Sequence, residues 1–112
     1  MPHYLAELYS SKQTWLNLTA AERQQFLEEV GAAMPALAAL GVDAISLGQV
    51  DQTRLHTSGH QFYAIWRCTD DQALEALIAG IAQSGWHDYF DTINAGGEGC
   101  DFGQHLTQLI NA

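Results

Sequence analysis

The chain has 112 residues, 47% of them hydrophobic and 15% charged, and a formal net charge of −9 with only four Lys and Arg in total. This is the composition of one ordered globular domain rather than a disordered tail, and so few cations disfavour nucleic acid and anionic membrane surfaces as partners. No apolar run approaches the ~18 residues needed to cross a bilayer, and no signal-peptide pattern opens at Met1. The cysteines, Cys68 and Cys100, fit neither a CxxC pair nor a zinc site, so a reduced cytoplasmic protein is expected.

His3 to Ser10 sets Tyr4, Ala6 and Leu8 against Leu5, Glu7 and Tyr9, the alternation of a strand with two unlike faces. A polar loop containing Trp15 follows. Thr19 and Glu22 then have the spacing of a capping box, so a helix should open there, with an apolar stripe of Phe26, Val30, Met34 and Leu37. Pro35 predicts a kink or break after Ala33, and Gly41 is a natural C-terminal cap. Val42 to Val50 and Gln61 to Cys68 read as a long antiparallel hairpin, joined by the polar stretch from Asp51 to His60, a candidate lid. Thr69, Asp70, Asp71 and Gln72 suggest a second capping box and a helix striped by Leu74, Leu77, Ile78 and Ile81, closed by Gly85. A short strand from about Tyr89 to Asn94, a glycine-rich turn from Ala95 to Gly99 and an amphipathic helix from Asp101 complete the chain.

That order, strand, helix, strand, strand, helix, strand, is a ferredoxin-like βαββαβ arrangement: an α+β fold with a four-stranded antiparallel sheet, helices on one face and a terminal helix, all within one domain, 1–112. The third strand carries large side chains on both faces, Phe62 and Trp66 on one and Tyr63 and Ile65 on the other. The face without helices therefore needs a cover. A second copy of the sheet is the simplest one, giving a homodimer through the open sheet face.

The densest chemistry lies in Gly85-Trp86-His87-Asp88-Tyr89-Phe90-Asp91. Residues four apart share a side in a helix and in a strand, so Trp86 groups with Phe90 and His87 with Asp91. The first pair, with Tyr89, makes an apolar wall. The second is a candidate general base oriented by a carboxylate, although a histidine just past a helix end is also stabilised by the helix dipole alone. Glu7 and Arg67 sit in predicted strands, where charge is costly unless paired. If the first and third strands are neighbours, the two charges can share one face and line a cavity with Tyr9, Tyr63 and Asn94; a structural ion pair explains them as well. His56 and His60 belong at the cavity mouth. His56 and His60 have HxxxH spacing only within a predicted loop, no helical HxxxH or HExxH pattern marks a metal site, and neither a metal nor a cofactor is expected.

With these elements in place the chain resembles the dimeric α+β barrel superfamily, in which two ferredoxin-like protomers pack their sheets together around a cavity. Trp15 to Arg23, Trp-Leu-Asn-Leu-Thr-Ala-Ala-Glu-Arg, looks like the opening of the small darcynin-like families, which have no settled function. The resemblance implies a pocket for a small molecule. It also implies a choice between a cofactor-independent oxygenase, isomerase or cyclase acting on an aromatic or polyketide-like substrate and a non-catalytic ligand-binding or stress-related module. A metal- or haem-dependent enzyme is a third, weaker reading. Fold alone does not select among them.

Overall fold

The computed structural model describes residues 1–112. In chain order the elements are β1 (His3–Ser11), α1 (Gln13–Leu16), α2 (Ala20–Ala39), β2 (Val42–Gln49), β3 (Phe62–Cys68), α3 (Asp71–Gln83), α4 (Trp86–Tyr89), β4 (Phe90–Glu98) and α5 (Phe102–Ile110). The strands form one antiparallel sheet in the order β2-β3-β1-β4, the ferredoxin-like arrangement expected from the alternation of elements.

The helix starts follow local chemistry. Thr19 accepts from the Glu22 backbone while the Glu22 carboxylate accepts from the Thr19 N–H, completing the capping box at the head of α2. At α3 the cap is one residue later than expected: Asp70, not Thr69, accepts from the Ala73 N–H at 2.8 Å. Thr69 is engaged elsewhere, its N–H bonded to the Gly41 carbonyl at 3.0 Å and its side chain tight against Gly41. Gly41, with φ of 96°, ends α2 in the left-handed conformation that favours glycine.

Three other expectations need correction. Pro35 does not break α2, which runs unbroken to Ala39; Pro35 and Gly31 are both exposed, so water can take the Gly31 carbonyl that the missing N–H would have bonded. Trp15 lies in a short helix, not a loop, and is buried. The glycine-rich stretch is not a turn: β4 extends to Glu98, with Leu5 opposite Gly96 and Tyr4 opposite Gly97. Pairing with β1 overrides the low strand preference of glycine, and a Cβ at Gly96 would stand only 3.2 Å from Leu5 Cδ1.

Directly paired residues share a sheet face, so the register divides the sheet cleanly. One face carries Leu5, Glu7 and Tyr9 of β1 with Trp66, Ala64 and Phe62 opposite them. The helices cover this face, and the core is Leu5, Val42, Ala64, Trp66 and Cys68 against Ala73, Leu74 and Leu77 of α3. The other face carries Tyr4, Ala6 and Leu8 with Arg67, Ile65 and Tyr63, and no helix lies over it. Tyr4 and Ile93 there are 39% and 57% exposed. Both cysteines are free, Cys68 buried and Cys100 exposed. No helix is long and apolar enough to cross a membrane.

Two glycines of α2 and its end should respond oppositely to the same change. Gly41→Ala drives a Cβ into Thr69 at positive φ and should cost at least about 1–2 kcal/mol. Gly31→Ala, mid-helix with nothing within 4 Å of the added Cβ, should stabilise by roughly 0.5–1 kcal/mol. Urea unfolding midpoints check both, and a shared sign would contradict this account.

Candidate functional site

Helix α2 has no buried residue, so it sits loosely over the sheet. Its inner side offers Ala33 and Ala36, the sheet beneath offers Ala44 and Ala64, and α3 contributes Gly80. Side chains this small leave space that close packing would otherwise fill. The result is a cavity of about 710 Å³ between α2, α3 and the sheet, walled mainly by apolar groups such as Val30, Met34, Leu37, Leu77 and Ile81.

Glu7 is the buried charged group among the cavity's lining residues and is only 3% exposed. Trp66 Nε1 donates to Glu7 Oε1 at 3.1 Å, across the β1–β3 pair. Glu7 Oε2 is buried with no hydrogen-bond partner, and so is Nε1 of Trp86, which also lines the cavity. Burial pushes the Glu7 carboxyl above its ordinary value, while the Trp66 hydrogen bond and the charge of His87 act weakly in the opposite direction. Burial, and then the charge of Glu7, also push the Tyr9 hydroxyl up. The wall thus presents an acceptor that favours its protonated form and a free indole donor.

Aromatic rings frame one end. Trp86 stacks on Phe90 with centroids 4.2 Å apart, and Tyr9 meets Trp86 edge-on at 5.1 Å. Phe90 in turn packs on buried Trp15 at 4.8 Å, and Trp15 lies beneath the Arg23 guanidinium at 5.6 Å. Each such ring pair adds roughly 0.5–1.5 kcal/mol beyond its buried area, so the segment from α4 into β4 is anchored to α1 and α2.

The sequence candidates separate on this geometry. Glu7, Tyr9 and Trp86 line the cavity, and Phe90 backs Trp86. Tyr89 packs instead on Trp15 and Phe26, beside a shallow groove with Leu18 and Ala21. Asn94 is opposite Glu7 in the β1–β4 register but is exposed. Arg67 and Tyr63 lie on the open face, Tyr63 hydrogen-bonding Ser46 at 3.0 Å. The expected Glu7–Arg67 pairing is therefore corrected: Arg67 opposes Tyr4 and Glu7 opposes Ala64, three residues away along β1, an odd step that puts them on opposite faces.

His87 and Asp91 are exposed and share no hydrogen bond or ion pair. This pair and Trp86–Phe90 both span the junction from helix to strand at Phe90, and only Trp86 and Phe90 are turned inward, stacking on each other, while His87 and Asp91 face water. The loop 51–60 keeps His56 and His60 apart from the cavity wall and is tied to itself, with Asp51 bonded to Thr53 and paired with Arg54 at 3.0 Å. No group of three or more His, Cys, Asp or Glu is arranged to hold a metal ion. Sequence reasoning missed Trp66 as the partner of Glu7 and missed the small-residue wall. The recurrent alanines of α2 and Gly80 in α3 were the available signals.

The βαββαβ element order, with an antiparallel sheet ordered β2-β3-β1-β4 and helices on one face, defines the class of ferredoxin-like α+β proteins. Among known structures the chain is similar to a protein named as a candidate chlorite dismutase, TA0507, with 12% identity over 81% of this chain and a TM-score of 0.61; this chain spans only 39% of that one. It is also similar to a dabb family protein with a ferredoxin-like fold from Mesorhizobium loti, with 11% identity, 89% and 98% of the two chains covered and a TM-score of 0.54. A dimeric ferredoxin-like protein of unknown function from Thermobifida fusca matches with 12% identity, 87% and 90% coverage and a TM-score of 0.52. At these identities the likeness is one of fold, and it agrees with the α+β barrel resemblance read from the sequence. No curated protein sequence matches the chain. The chain belongs to the family described as "Family of unknown function (DUF6616)", which it matches over residues 2–112.

The upward shift of the Glu7 carboxyl has a defined consequence for stability. A carboxyl whose native pKa lies above its unfolded value, ordinarily about 4.5, binds more protons in the folded state, so stability is greatest below that value and falls as pH rises through the native one. Glu7→Gln keeps an acceptor for Trp66 and removes the titration. The variant should gain on the wild type steadily as pH is raised from the acid range through neutrality, measured by urea midpoints at each pH; a difference independent of pH would count against a buried ionising Glu7.

Proposed function

We propose that this chain, as a single domain over 1–112, binds a small aromatic or polyketide-like molecule in the cavity between the sheet and helices α2 and α3. The observation that carries this reading is the pair of unpartnered buried polar atoms, Glu7 Oε2 and Trp86 Nε1, in a largely apolar wall. A ligand with one hydroxyl donor and one carbonyl acceptor satisfies both while its ring lies against Trp86 and the aliphatic side chains. Leaving such groups unpaired costs roughly 1–3 kcal/mol each, which is recovered when the ligand binds. Two copies of the chain are proposed to pair through the open sheet faces, where Tyr4, Leu8, Ile65 and Ile93 offer an apolar surface.

A catalytic version of this reading is favoured by the raised Glu7 carboxyl beside Tyr9. Glu7 would then move a proton on and off the bound molecule, the step a cofactor-independent isomerase or cyclase requires. His87, outside the cavity wall, would act on Glu7 through its charge and not as the base. An oxygenase of the same kind would use the same proton transfer. The non-catalytic module uses the identical contacts for binding alone.

Intrinsic fluorescence, to which the cavity-lining Trp66 and Trp86 contribute, provides the test, with 2-naphthol, a hydroxynaphthoquinone and plain naphthalene as probes. The hydroxyquinone should bind most tightly. Gly80→Leu, which fills the cavity, should weaken all three at least about tenfold, whereas Glu7→Gln should weaken the hydroxyl-bearing probes by about tenfold or more and naphthalene little. Binding that ignores Gly80→Leu would sink the cavity assignment. A native mass spectrum of the purified protein reports any ligand it retains.

A further inference from the structure

Helix α5 opens with a complete capping box, Asp101 and Gln104 bonding each other's backbone N–H groups. Its apolar residues Phe102, Leu106, Leu109 and Ile110 are 77%, 43%, 58% and 81% exposed. Spaced four, three and one apart, they form one helical stripe. Every residue from Asp101 to Ala112 is exposed, and the hydrogen bonds of the segment run among residues 100–112. A nine-residue helix is marginal in water on its own, so this one needs a surface that its own fold does not offer. The radius of gyration, 15.7 Å, against about 13 Å for a compact chain of this length, is in keeping with a helix held off the body.

We propose that α5 is an arm that clasps a second copy of this chain, adding to the sheet-face pairing on which the proposal rests. The root of the arm points to that occupant. Gly99 donates to the Pro2 carbonyl at 2.9 Å, and the position of its absent Cβ lies 2.7 Å from the Tyr4 ring; Tyr4 belongs to the open face. The chain therefore leaves the sheet at the rim of the surface a second sheet would cover.

Area argues the same way. Strands of seven to nine residues make each open face roughly 27 by 19 Å, a footprint of about 500 Å² per protomer or about 1,000 Å² for the pair. Stable interfaces bury about 1,200–2,000 Å². Two arms, each about 13 Å long and 10 Å wide and covering an equal area on the other copy, bring the total to about 1,500 Å². In a two-fold pair both arms are used alike.

Charge disfavours a membrane instead. Residues 99–112 contain no Lys or Arg, while helices that lie on anionic lipid carry such cations on the polar face. The arm also carries its own reporter, because Cys100 is exposed and Cys68 is buried.

Sedimentation equilibrium of the full chain tests this with two variants. Leu106→Glu combined with Ile110→Glu alters only the arm, which packs on nothing of its own, and should weaken pairing at least about tenfold, as loss of two buried side chains implies. Ile93→Glu alters the open face and should also yield monomer. Arm variants that pair as tightly as the wild type, alongside a monomeric Ile93→Glu, would overturn the arm and leave the sheet pairing standing. A wild type that stays monomeric at micromolar concentration would overturn both. A nitroxide on Cys100 should be immobilised in the pair and freed on dilution; free motion throughout, or immobilisation only on phosphatidylglycerol vesicles, would refute the arm.

Discussion

The register of β1 against β3 and β4 decides most of what this protein is. With Leu5 opposite Trp66 and Glu7 opposite Ala64, a large side chain and a small one alternate along the helix-facing side. Trp66 can then lean over to bond Glu7, and the space above Ala64 stays empty. A slip of β1 by one residue would send Glu7 to the open face and turn Ala6 and Leu8 toward the helices. The same register fixes which apolar residues are left uncovered. The cavity and the unprotected sheet face are therefore two outcomes of one alignment.

Glu7 is costly to the fold. A carboxyl removed from water with one oxygen unpartnered destabilises the native state, and the aromatic chain running from Tyr9 through Trp86 and Phe90 to Trp15 supplies compensating contact next to it. That arrangement, a half-paired buried polar group beside packed rings, is how binding sites are commonly organised. It also explains the short α4: one turn of helix is what carries Trp86 onto the cavity wall while β4 begins immediately after.

Much of the fold was legible in the residues because the signals were local. Thr19 with Glu22, Gly41 after α2, Gly85 after α3 and the alternation in β1 each specify backbone geometry through contacts a few residues long. What escaped was long-range. Gly96 and Gly97 look like a turn until β1 pairs with them, and Thr69 looks like a cap until Gly41 approaches it. In the candidate site, grouping by fours found the Trp86–Phe90 stack, which packing against Tyr9 and Trp15 holds inward, but failed for His87 and Asp91, which are exposed and have no such packing to bring them together. The Glu7–Arg67 pairing failed for a different reason: parity along each strand was read correctly, but which parities meet depends on register, which no single strand encodes.

The cavity is large because of what its walls lack. Ala33, Ala36 and Gly80 lie on two different helices and belong to no part of the buried core cluster, whereas Ala64, Trp66 and Leu77 serve both cavity and core, so changes at the first three alter the volume without touching the contacts that hold the sheet to α3. Size and shape of the cavity can accordingly change one methyl group at a time, from either helix, while the fold beneath stays the same. The part of the wall that α2 supplies is thus separate from the buried core, while the part that the sheet and Leu77 supply belongs to both.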